Sequence, residues 1–128
     1  MDEGHEKFLF EMFDFMQPRD GDETAIKKFG IECGDGWLGL IVRLCRKLTG
    51  LKMRNFRVVQ IKEKFGTLRF YFDRAPRRKI KEIINFINEA EIESSHTCEV
   101  CGAPGRLKQI RWLLLTRCNG CTENKYTG

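Results

Sequence analysis

The stretch Cys98-Glu99-Val100-Cys101, followed after sixteen residues by Cys118-Asn119-Gly120-Cys121, decides how this chain is read. A Cys-x-x-Cys loop turns two thiolates toward one point. Two such loops brought together supply the four soft ligands of a closed tetrahedral Zn²⁺ site. Gly102, just after the first pair, and Gly120, inside the second, fall where these knuckles need a permissive backbone. Between the pairs, Ala103-Pro104-Gly105 reads as a turn and residues 109–116, with Trp112, Leu113, Leu114 and Leu115, as a strand-like run. The spacing thus predicts a zinc ribbon with Zn²⁺ on Cys98, Cys101, Cys118 and Cys121. With four thiolates filling the coordination sphere no position is left for water, so the metal is expected to be structural.

Two disulfides and a thioredoxin-like redox motif are the competing readings of the same cysteines. A redox motif asks for one pair beside a βαβ pattern, not two matched pairs around a short hairpin. Disulfides ask for an oxidising compartment. Met1-Asp2-Glu3 is acidic, and the apolar run Phe8 to Met16 is broken by Glu11 and Asp14, so neither export nor a membrane span is expected. A reducing, cytoplasmic setting follows, in which thiols stay free for metal.

At 128 residues the chain suffices for one domain with a modest core and a small metal-stapled appendage. The formal charge is +5, and its distribution is uneven: residues 1–23 carry eight acids against two bases, and residues 43–81 fourteen bases against two acids. A zinc-bound set of four thiolates lowers the total by about two. The acidic arm and the basic centre are candidates to face each other.

Upstream of the cysteines the apolar pattern alternates between helical and extended periods. Phe8, Leu9, Met12, Phe13 and Met16 recur at helical spacing, predicting a first helix that ends near Pro18, with Phe10 and Phe15 either core or an exposed patch. Residues 17–23 read as a flexible loop. Gly34-Asp35-Gly36-Trp37-Leu38-Gly39 matches the letters of the dinucleotide fingerprint G-x-G-x-x-G. No strand precedes it and no acid stands about twenty residues on, so the fingerprint reading fails. The segment is expected instead to begin a helix capped by Asp35, buried through Trp37, Leu40, Ile41, Leu44, Cys45 and Leu48, and closed by Gly50. Cys33 and Cys45 then read as small buried hydrophobes rather than a second metal site with His5 or His96. His96 is expected beside the metal rather than on it.

Residues 56–62 and 67–72 are β-rich and alternate, predicting a hairpin that turns near Lys64 to Gly66. Leu68, Phe70 and Phe72 fall on one face, Arg69 and Tyr71 on the other. That second face is a solvated surface or a weak nucleic-acid platform. Pro76 opens a long helix through Ser94, with Ile80, Ile83, Ile84, Ile87 and Ala90 on one face. Arg77, Arg78, Lys79 and Lys81 crowd its first turns, where the helix dipole disfavours positive charge. An anion lying against them, or a local acid such as Asp73, accounts for the placement. The fold class is α+β: helices packed on a short antiparallel β-hairpin with a C-terminal four-cysteine zinc ribbon. The organisation reads as an N-terminal helix and acidic loop over 1–23, an α/β core over 24–96 and the ribbon over 97–128.

Glu32-Cys33-Gly34-Asp35-Gly36-Trp37, residues 60–71 (QIKEKFGTLRFY), residues 90–95 (AEIESS), residues 97–105 (TCEVCGAPG), Trp112 and the last cysteine pair together resemble a family of small zinc-ribbon proteins of phages, prophages and bacteria. The resemblance spans residues 32–121 and leaves the N-terminal helix outside it. It brings no catalytic residues. It implies a zinc ribbon and a mobile-element origin, and proteins of this size and kind include inhibitors of host defence nucleases, anti-CRISPR proteins among them.

Catalysis is not expected. The only serines are Ser94 and Ser95 and the only histidines His5 and His96; no Walker loop, paired-carboxylate motif or His-rich metal motif occurs. The expected function is docking on a host protein or nucleoprotein complex through a positive surface formed by Arg69, Tyr71, Arg74, Arg77, Arg78, Lys79 and Lys81. The alternative is direct nucleic-acid binding by the same surface, as an accessory in phage transcription or replication. No membrane partner is expected, and oligomeric state is not encoded legibly.

Overall fold

The computed structural model of the chain describes residues 1–122; of the expected 97–128 ribbon, residues 123–128 lie outside the described residues. The fold is α+β. Four helices, α1 (Glu3–Met12), α2 (Ala25–Phe29), α3 (Leu38–Thr49) and α4 (Ile80–Ser94), accompany two separate antiparallel hairpins, β1–β2 (Arg57–Lys64 with Thr67–Asp73) and β3–β4 (Arg106–Ile110 with Leu113–Arg117).

Helix α1 starts where Asp2 accepts the amides of Gly4 and His5, with Glu3 and Glu6 placed favourably at the positive end of the helix dipole. It stops at Phe13, earlier than the expected end near Pro18, and a single 3-10 turn over Asp14–Met16 follows. The break lets Phe13 and Met16 reach the core while Phe15 packs against it. Phe13, Phe15, Phe56 and Phe72 form a chain of ring contacts with centroids 5.3–5.8 Å apart. Phe10 and Phe15, the two rings outside the helical stripe, thus belong to the core margin.

The 17–23 loop is tied down at several points. Asp22 accepts the Arg19 amide and pairs with Arg57, and Lys27 reaches the Arg19 carbonyl. Short helix α2, capped by Thr24, then packs on β1. No periodicity announced it, because five residues are too few to show one.

Helix α3 buries Leu40, Ile41, Leu44, Cys45 and Leu48, with Trp37 just before it and fully buried. Asp35 is not its side-chain cap. The 3-10 turn Asp35–Trp37 leads into the helix without one, and the Asp35 carboxylate instead accepts the Asp2 amide and the His5 ring. Arg43 and Lys47 of α3 pair with Glu93 and Glu89 of α4. On α4, Ile83 and Ala90 are buried and Ile87 packs at the core edge, but Ile80 and Ile84 face solvent. The buried stripe is narrower than the isoleucine spacing implied because, among the described residues, α3 and β2 supply most of the cover for this helix.

Hairpin β1–β2 turns on Phe65 and Gly66, with φ of 55° and 85°, the left-handed pair that a two-residue hairpin turn requires. Ile61, Leu68 and Phe70 are buried beneath it. Glu32 adds a parallel bridge to Lys62 on the outer edge of β1.

Candidate metal centre and cationic cleft

The two Cys-x-x-Cys loops converge. The sulfurs of Cys98, Cys101, Cys118 and Cys121 all lie within 4.8 Å of one another, the one such donor cluster among the described residues. Cys101 and Cys118 sulfurs are 3.7 Å apart. A tetrahedron with metal–sulfur bonds of about 2.3 Å sets its sulfurs about 3.8 Å apart, whereas a disulfide needs about 2.0 Å. All six cysteines are free thiols. The donor set therefore fits a closed structural site for a soft-ligand divalent metal such as zinc.

The local backbone builds each knuckle. Gly102 adopts φ 81° and donates to the Cys98 carbonyl, closing the first loop; Gly120 instead lies in the helical turn 119–122, so its expected special backbone is absent. The Cys121 amide donates to Cys118 sulfur. Burial raises the Cys98 thiol, but the backbone amides of Cys101, Cys118 and Val100 outweigh it and bring the group down to about 6. Hydrogen bonds with the Cys118 and Cys101 sulfurs, which favour the protonated thiol, push Cys121 up to about 12. A divalent cation is the charge that lets all four ionise together.

The first knuckle is seated on the Gly34-Asp35-Gly36-Trp37 segment. The Gly34 amide donates to the Glu99 carboxylate at 2.9 Å, the Gly36 amide to the Glu99 carbonyl at 2.8 Å and the Trp37 indole to the Thr97 carbonyl at 2.8 Å. A side chain at Gly36 would collide with the Cys98 carbonyl, so glycine is set here by close approach of two backbones. Arg117 completes the joint, pairing with Glu99 at 3.1 Å where both are buried. Thr116 donates to the Gly66 carbonyl at 2.6 Å, anchoring β4 to the β1–β2 turn. Sequence reasoning missed Glu99 and Arg117; their position one residue from ligands Cys98 and Cys118 was the available signal.

Cys33 and Cys45 are buried away from the cluster, and burial pushes Cys33 up to about 12 and raises Cys45 as well. His96 is exposed. Ser94 donates to the Glu91 carbonyl and receives the Leu68 amide, and Ser95 donates to the Ile92 carbonyl, so both hydroxyls serve the end of α4.

The residues expected on a positive surface separate into groups. Arg69 pairs with Glu91 at 2.9 Å, and Tyr71 is exposed on the strand. Arg74 and Arg78 line a cleft of about 720 Å³ together with Lys52 and Arg54. Arg77, Lys79 and Lys81 follow at the start of α4. Among the described residues none of Lys52, Arg54, Arg74, Arg77, Arg78, Lys79 and Lys81 makes an ion pair. Asp73, the local acid offered for this placement, is taken by Arg57 at 2.7 Å.

Comparison with family models, with curated proteins and with solved structures returns no match. The four-cysteine cluster is what defines the class: an α+β protein with a four-thiol cluster able to hold a metal ion. Among the described residues no helix is long and apolar enough to cross a membrane.

Proposed function

We propose that this chain is a non-enzymatic binding protein, stapled by structural zinc, that docks on a host protein or nucleoprotein complex. In this reading it is encoded by a phage or other mobile element and restrains a host defence nuclease such as a CRISPR effector. The origin rests on the sequence resemblance over residues 32–121. The docking rests on one observation: the β1–β2 turn abuts the strands of the β3–β4 hairpin, Gly66 lying against Leu107 and Leu114, and the two hairpins leave Phe65 63% and Trp112 82% exposed, with Leu107 and Leu113 exposed as well. Large apolar side chains gathered in water on a frame held by buried hydrogen bonds are the mark of an interaction surface. Closed thiolate coordination argues against hydrolytic zinc chemistry.

Capture from a bacterial lysate on the immobilised, zinc-loaded chain tests the reading, followed by reconstitution with the purified partner. Phe65→Ala/Trp112→Ala is expected to lose the partner while keeping zinc and its melting temperature. Retention equal to wild type removes this surface from the proposal. Cleavage by the purified effector, unchanged by stoichiometric protein, removes the nuclease-inhibitor reading. A second reading, direct nucleic-acid binding, is favoured by the unpaired cations around Arg74 and Arg78.

A further inference from the structure

We propose that the cleft framed by Lys52, Arg54, Arg74 and Arg78 is a groove for the phosphodiester backbone of nucleic acid; the inference rests on the second reading above and gives it a location. The loop after α3 supplies Lys52 and Arg54, and the segment between β2 and α4 supplies Arg74 and Arg78, so segments distant in sequence bring four cations to one cleft, lined also by Met53 and Pro76. Among the described residues no carboxylate lines it. The nearest acids are already committed: Asp22 and Asp73 hold Arg57, and Asp14 holds Arg19. Asp14 and Asp22 also line the adjoining hollow that shares Arg54 and Arg74, but the acidic arm is engaged with Arg57 and its own Arg19, and among the described residues no carboxylate forms an ion pair with the four cleft cations.

Two of the four cations sit on unusual backbone, Lys52 at φ 52° and Arg74 at φ 58°. Non-glycine residues adopt this region at a cost, and such positions gather at binding and catalytic sites. Arg77, Lys79 and Lys81 carry the positive surface onward from Arg78 to the first turn of α4. A lone carboxylate or small anion would satisfy one or two of these groups. A run of cations fits a ligand with regularly repeated negative charge, and a phosphodiester strand carries one about every 3.4 Å. Three of the four cleft residues are arginines, whose planar fork grips phosphate through two hydrogen bonds.

The test is fluorescence anisotropy of the full, zinc-loaded chain with labelled single strands and duplexes of random sequence. Binding by the wild type is expected to weaken about 10²-fold between roughly 50 and 200 mM salt, as release of counter-ions from about four phosphates requires. Arg78→Glu and Arg54→Glu, both exposed, are expected to weaken low-salt binding about tenfold or more and to flatten the salt dependence by about one charge each. Arg111→Glu, on the β3–β4 turn, is the control. The β3–β4 strands pack on Gly66, at the opposite end of hairpin β1–β2 from the Arg57–Asp73 pair and about 25 Å along it, so the variant should bind within about twofold of wild type. Unchanged melting temperatures establish that each variant is folded. Wild-type binding retained in full by the Arg54→Glu/Arg78→Glu chain overturns the cleft but leaves nucleic-acid binding standing. Absence of wild-type binding to either nucleic acid at low salt overturns both.

Discussion

Trp37 and Thr97, sixty residues apart, are joined by a 2.8 Å hydrogen bond from the indole N–H to the carbonyl one residue before the first metal ligand. Trp37 is fully buried, so its ring fixes α3 in the core while its nitrogen fixes the knuckle. Trp37→Phe keeps most of the packing and strands the Thr97 carbonyl. The expected loss is about 1–3 kcal/mol of stability, the cost of an unmade buried hydrogen bond. Because the bond orients the backbone entering Cys98, zinc affinity should fall about tenfold as well. Urea denaturation and competition with a chromophoric chelator measure the two effects; a stability loss with unaltered zinc affinity would mean that the indole serves the core alone.

Glycine has different meanings at two positions in this motif set. At Gly36 a methyl group would strike the Cys98 carbonyl and the Gly102 amide, both backbone atoms with no freedom to move aside. At Gly120 no atom of the described residues lies within 4 Å of that position. Gly36→Ala is expected to cost about 3 kcal/mol, the upper end of ordinary overpacking. Gly120→Ala should be neutral or stabilising by up to about 1 kcal/mol, since alanine is the better helix former. Equal denaturation midpoints for the two variants would refute the close-approach account.

The cysteine cluster and the helix–hairpin–helix core were legible because each leaves a short-range signature: paired cysteines at fixed spacing, Leu40 to Leu48 on one helical face, Phe65-Gly66 between alternating runs. The joint between core and metal module was not. Gly34 to Trp37 looks like a helix start in sequence, and its real task is set by Glu99, sixty-five residues from Gly34. Asp35 looks like a cap for the same reason, yet its carboxylate is drawn to the Asp2 amide and His5 across the fold. The cationic surface was half legible. Arg74 and Arg78 stood out as charges, but Arg69 is spent on Glu91, and Lys52 and Arg54 join the cleft only through tertiary folding.

Removing the metal should uncouple the two parts of the molecule. Without the cation the four sulfurs cannot all stay ionised and nothing clasps the two knuckles together, and structural zinc contributes on the order of 10 kcal/mol in small modules. Chelation is expected to abolish amide-exchange protection across β3 and β4 while α3, α4 and β1–β2 retain slower exchange through their own core of Trp37, Ile41, Ile61, Leu68 and Ile83. Elemental analysis should return about one zinc per chain before chelation. Protection in β3–β4 that persists without metal would show that Glu99, Arg117 and Thr116 hold the module by themselves.

Acid should act through the Arg57 cluster. The hydrogen bond and charge of Arg57 hold the Asp73 carboxyl below its ordinary value, opposed by a smaller burial effect. A carboxylate favoured in the folded state contributes stability that is fully present above its unfolded pKa of about 3.9 and is lost as pH falls through the lower folded value. Asp35, lowered by the His5 hydrogen bond and the Asp2 amide, acts in the same direction. Wild type is therefore expected to lose stability progressively below about pH 4. Asp73→Asn should be less stable than wild type at neutral pH and lose less over the acid range, narrowing the gap between them. The narrowing should be partial at Arg57 itself, because Asp22 still holds that guanidinium at 3.0 Å. Denaturation curves that stay parallel from pH 7 to about pH 3 would show that the ion pair is too solvated to carry any of the acid sensitivity.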